Sequence, residues 1–198
     1  PPLSPVLVSE SHAPVGLVIP PGKRTKRVES PALAPGSCDR QFLRREFVKI
    51  QGMVEHAFTH DAACSDSGHN TLCERFSSPS RSFLQHDCAG EHVWCVPPYT
   101  PDMLRWPQHY LKCKRRDLEH TSAVFAVPKW PSISSYFESQ GFTLLHEYPA
   151  GSIVFAEPHT ADEQVKPLPP IPWPLQLWYD PPVKQVGMLN ATMIGDSY

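Results

Sequence analysis

The sequence predicts an α/β domain over residues 37–158, with a mainly parallel sheet and an antiparallel hairpin at its end. Three observations carry this. Short apolar runs alternate with segments of helical periodicity, the pattern of a parallel sheet with helices on its faces. The runs at 92–96 and 121–127 are rich in β-branched and aromatic residues and end abruptly at proline, as buried strands entering rigid loops do. Segments 142–148 and 152–157 are joined only by Pro149-Ala150-Gly151, a loop short enough for a hairpin.

Each element follows from local chemistry. Residues 1–36 are dominated by Pro, Ser, Ala and Val without a sustained period, and read as a linker. Within them, Lys23-Arg24-Thr25-Lys26-Arg27 suits a nuclear-localisation or nucleic-acid patch, or a merely solvated run. Asp39 can cap a helix reaching about His56, with Leu43, Phe47, Ile50 and Val54 on one face. Residues 57–61 form a short strand ending at Asp61, residues 73–76 another, and residues 82–87 a third ending at Asp87. Residues 92–96 are the next strand. Thr100-Pro101 starts a helix that Pro107 should kink or restart. A strand at 121–127 stops at Pro128. A helix at 132–140 ends at Gly141 in left-handed conformation. Residues 159–198, rich in Pro and Trp, read as a connector.

Composition narrows the function classes. At 198 residues the chain holds one ordinary domain plus tails. A net charge of −2 gives no global field for nucleic acid, although Lys112, Lys114, Arg115 and Arg116 form a local basic cluster. That cluster suits phosphate contacts or a solvated helix end. No apolar run of about 18 residues predicts a membrane span, and no secretory pattern opens the chain. The start in Pro-Pro rather than Met predicts a piece of a longer protein. Six cysteines without a C-x-x-C predict free thiols in a reducing, intracellular compartment, cytoplasmic or nuclear. Cys64, His69, Cys73, His86, Cys88, His92 and Cys95 lie close together, but their spacing matches no common zinc motif, and no metal is predicted.

Four segments, taken in order, carry a family resemblance: Phe58-Thr59-His60-Asp61-Ala62-Ala63-Cys64, Asn70-Thr71-Leu72-Cys73-Glu74-Arg75-Phe76, Phe83-Leu84-Gln85-His86-Asp87 and Val93-Trp94-Cys95-Val96-Pro97-Pro98-Tyr99. Over residues 39–110 the chain resembles the phage-type DNA N6-adenine methyltransferases. The resemblance implies a Rossmann-like methyltransferase fold and S-adenosylmethionine as cofactor. It places Asp61 and Asn70 near the cofactor, and Asp87 on the cofactor's adenine. Such domains occur in retrotransposon polyproteins, upstream of an aspartic protease and reverse transcriptase. The tail at 171–182 and 189–195 looks like a connector into such a protease. Asp196-Ser197-Tyr198 lacks the glycine of a catalytic triplet. DNA and the rest of a polyprotein are the implied partners.

In that family the catalytic loop reads Asn or Asp, Pro, Pro, then Tyr or Phe. An exocyclic amine is a poor nucleophile, because its lone pair is delocalised into the ring. A side-chain oxygen and the first proline carbonyl hold its two hydrogens, and the aromatic residue stacks on the flipped base. Here the loop is Val96-Pro97-Pro98-Tyr99. Val96 accepts no hydrogen bond. Losing one such partner costs about 3–4 kcal/mol, or about 10²–10³ in rate. The expectation is a weak or inactive enzyme, or a non-catalytic nucleic-acid-binding or interaction module of a retrotransposon polyprotein. Each residue also has a plainer role: Asp61 and Asp87 suit turn caps, Asn70 a loop tie, and Tyr99 a core edge.

Overall fold

The computed structural model describes residues 40–158 and 164–184. The expected linker at 1–36, its basic run, Cys38, Asp39 and the tail at 185–198 lie outside the described residues.

Among the described residues the helices are short, of 8 to 10 residues. Helix α1 (Arg44–Gln51) follows strand β1 (Gln41–Phe42) and is shorter than the sequence predicts, because Leu43 occupies the cap and Gly52 ends it. Phe47 and Ile50 are its buried face. Helix α2 (Arg105–Lys114) starts after a series of turns that carries the chain past Pro101. Pro107 is accommodated in its first turn, where its missing N–H is not needed. Helix α3 (Pro131–Ser139) has proline at its first position. Gly141, at φ +81°, ends it. Gly141 N donates to Glu138 O (3.0 Å) and Phe142 N to Phe137 O (3.1 Å), and the Phe137 and Phe142 rings meet at 4.9 Å. These bonds and the ring contact satisfy the last carbonyls of the helix.

The main sheet has six strands in the order β3-β2-β4-β5-β8-β6: β2 (His60–Asp61), β3 (Arg75–Phe76), β4 (His92–Cys95), β5 (Ser122–Pro128), β6 (Thr143–Tyr148) and β8 (Leu175–Asp180). Strands β3, β2, β4 and β5 run parallel. Strand β8 is antiparallel to both β5 and β6, so β6 runs with the parallel set. The chain is α/β with a mixed sheet. Alternate side chains enter opposite layers, as strand pleating requires. Val93, Cys95, Phe125 and Val127 pack with α2 and α3, along with Trp178. Trp94, Val124, Ala126, Leu175 and Leu177 pack with α1 and β1.

Three expectations are corrected. The hairpin of 142–148 with 152–157 does not form: β7 (Phe155–Ala156) pairs with β1, and β6 pairs with β8. The region 82–87 is a 3₁₀ turn over Phe83–Gln85 and no strand, because Ser82 Oγ accepts from Leu84 N and closes it locally. The connector assigned to 159–198 contributes β8 to the sheet. Leu175 and Leu177 are fully buried there, and leaving the β5 and β6 edges bare would strand their backbone groups. No helix among the described residues is long and apolar enough to cross a membrane.

Candidate functional site

Counting only the parallel strands in chain order, β2, β3, β4, β5 and β6 lie in the order 2-1-3-4-5, with β8 inserted between the last two. The order reverses between β2 and β4. In sheets of this kind ligands bind outside the carboxyl ends at that reversal. Strand β2 ends at Asp61, and Ala62 N donates to Trp94 O at 2.8 Å. Strand β4 ends at Cys95 and runs into the 96–99 loop. Asp61 and Val96-Pro97-Pro98-Tyr99 therefore leave the sheet side by side.

Asp61 is buried, and burial raises its carboxyl to about 6 although Ala63, Leu72 and Thr71 donate to it. Ala63 N lies 3.2 Å from Oδ1, so the carboxylate caps its own turn. Asn70 is buried beside it. Its Oδ1 accepts from Cys64 Sγ (2.9 Å), Ser65 N (2.8 Å) and Ser65 Oγ (2.9 Å), and its Nδ2 donates to Arg40 O at 3.3 Å. Asn70 ties the loop between β2 and β3.

The 96–99 loop is packed down. Val96 rests against the layer of α1, and Pro97 is buried. The Tyr99 hydroxyl donates to Ala126 O at 3.3 Å, and its ring meets Trp173 edge-on at 6.3 Å. Trp173 in turn meets Trp130 at 6.2 Å. Trp130 and Trp173 are site neighbours that sequence reasoning missed. The signal was a proline beside each tryptophan at the mouth of a strand.

Asp87 does not join them. It precedes β4, on the side where the parallel strands begin. There it is exposed, accepts from Ala89 N at 3.0 Å and pairs with Arg116. Those bonds hold its carboxyl below the usual range. The basic cluster lies at the same side, because α2 runs from the 96–99 loop back to the strand starts. Lys114 is buried, 2.7 Å from Asp180 Oδ2, and donates to Pro181 O. Arg116 is held by Asp87, while Lys112 and Arg115 are exposed. Two of the four cations are thus internally paired, Lys114 with Asp180 at the end of β8 and Arg116 with Asp87 in the loop before β4.

The five described cysteines are free. Burial pushes the Cys64 thiol up to about 12, and raises Cys73, Cys88 and Cys95 further. These thiols are not nucleophiles at neutral pH.

A second polar cluster stands on the α2 side of the sheet, at the starts of β2 and β4. His60, His86 and Glu91 meet there, with Arg75 Nη1 2.8 Å from Glu91 Oε1. His60 is buried, and burial lowers its pKa to about 4. Sequence reading passed over His60 and Glu91, since no spacing links positions 60, 86 and 91; sheet register brings them together. No protein-family model matches the chain, and no curated protein matches it.

Proposed function

We propose that the chain is a Rossmann-like, methyltransferase-type domain whose capacity for adenine methylation has lapsed. The observation supporting it is the strand order, which reverses between β2 and β4 and sets Asp61 beside the 96–99 loop at the carboxyl ends. Of the motif residues, Asp61 and the 96–99 loop share that place, and Asp87 does not. The sequence resemblance would put S-adenosylmethionine there, as donor of the methyl group, with DNA as acceptor.

The residues present do not fit that cofactor. Asp61 is enclosed and bonded to its own turn, Asn70 is committed to its loop, and Asp87 stands on the far side with Arg116. Tyr99 is turned into the core and bonded to Ala126 O, so stacking on a base would require the loop to leave its packing. At Val96 the side-chain acceptor for the target amine is missing. These facts favour the second reading as the present role: a non-catalytic interaction module of a retroelement polyprotein, built on a methyltransferase frame.

Calorimetric titration with S-adenosylmethionine, and transfer of a labelled methyl group to single- and double-stranded DNA, test both readings on wild type and Val96→Asn. The expected result is no transfer by either protein. A rise of about 10²-fold in the variant, the value of one restored transition-state hydrogen bond, would show that residue 96 alone silences an intact site.

A further inference from the structure

His60, His86 and Glu91 converge on one point. His60 Nδ1 lies 3.3 Å, and His86 Nε2 3.1 Å, from the same oxygen, Glu91 Oε2. One ligand atom from each residue lies within 4.8 Å of the other two. Zinc bonds of roughly 2.0–2.2 Å arranged tetrahedrally require ligand separations of about 3.3 Å. Two of the three edges already have that length.

A second observation is independent of the spacing. His60 is 3% exposed, and its Nδ1 has no hydrogen-bond partner. Its Nε2 is 2.8 Å from Ser77 Oγ. With the ring proton on Nε2 and given to Ser77, Nδ1 turns a lone pair toward a carboxylate oxygen. Two lone pairs at that distance, out of water, repel unless a proton or a metal ion lies between them. Glu91 Oε1 is held from behind by Arg75. Ligands steadied by outer hydrogen bonds are the usual surroundings of a metal ion. The two imidazole rings stack at 4.4 Å and 10°. A cavity of about 510 Å³, lined by His60, Arg75, Ser77, Arg81 and His86 among others, adjoins them.

We propose that His60 Nδ1, His86 Nε2 and Glu91 Oε2 hold a divalent transition-metal ion of the zinc class, with water from the adjoining cavity as fourth ligand. Two neutral imidazoles and one carboxylate are a donor set that zinc accepts. The ion would tie the start of β2 to the entry of β4. The proposal stands apart from the methyltransferase reading, since these residues lie away from the 96–99 loop.

The test is a cobalt titration of the full chain after treatment with chelator. One cobalt per chain is expected, with the visible absorption of a four-coordinate ion, no thiolate charge-transfer band, and displacement by zinc. His86→Gln and Glu91→Gln should each weaken binding by at least ~10-fold, the least that disturbing such a site costs. His86 is partly exposed, so His86→Gln keeps the fold, which circular dichroism checks; it decides the matter if Glu91→Gln unfolds. Failure of wild type to bind cobalt, or binding that shows thiolate bands and ignores His86→Gln, overturns the proposal and leaves a hydrogen-bonded His–Glu cluster.

Discussion

Asp61→Asn is expected to stabilise the fold at neutral pH relative to its effect near pH 4. Asp61 is 5% exposed, and burial raises its carboxyl from 3.8 to about 6. A shift of about two pKa units corresponds to ~3 kcal/mol. The folded state binds this proton more tightly than the unfolded chain. Ionisation therefore destabilises the fold progressively between about pH 4 and pH 6, fully above that window and not below it. Wild-type stability conceals the effect. Burial lowers His60 from 6.5 to about 4, and a histidine kept neutral makes stability rise with pH over nearly the same range. The two slopes oppose, so the variant's stability should rise with pH more steeply than the wild type's. Urea unfolding at steps from pH 4 to pH 7, followed by tryptophan fluorescence, measures both. The difference between variant and wild type should grow by ~2–3 kcal/mol across the range. Any fixed cost of the buried amide cancels in that comparison. A difference that is the same at pH 4 and pH 7 would refute the reasoning.

Leu177→Ala should cost ~2–5 kcal/mol in urea unfolding, since Leu177 is fully buried in β8 between β5 and β6; a cost below ~1 kcal/mol would return 159–198 to connector status. Lys114→Met should cost ~3 kcal/mol by leaving Asp180 half-enclosed beside Tyr110, whose hydroxyl donates to Asp180 Oδ2 at 2.9 Å. The double variant Lys114→Met with Asp180→Asn should recover most of that loss, and equal instability of single and double variants would argue that packing of the lysine stem is the cause.

Much of the frame was legible along the chain. Strands β4 and β5 could be read because buried parallel strands are apolar on both faces, and such runs need no partner to be recognised. Helix α3 was legible down to Gly141, whose backbone freedom ends it within one turn, while Pro131 at its first position was not read. The Val96 substitution, and its consequence for an amine, is chemistry visible in four residues. The tertiary structure decided what depends on pairing. Leu175-Gln176-Leu177-Trp178-Tyr179-Asp180 sits among prolines and looks like linker until β5 and β6 offer it two open edges. Asp87 resembles a strand-end carboxylate, but local sequence does not tell the end of one strand from the approach to the next, and the fold places it with Arg116. Asn70 and Tyr99 have the residue types of a site, yet their hydrogen bonds run inward to Cys64, Ser65 and Ala126. His60, His86 and Glu91 became one cluster only through the pairing of β2 with β4, because long-range register has no signature in the spacing of residues along a chain.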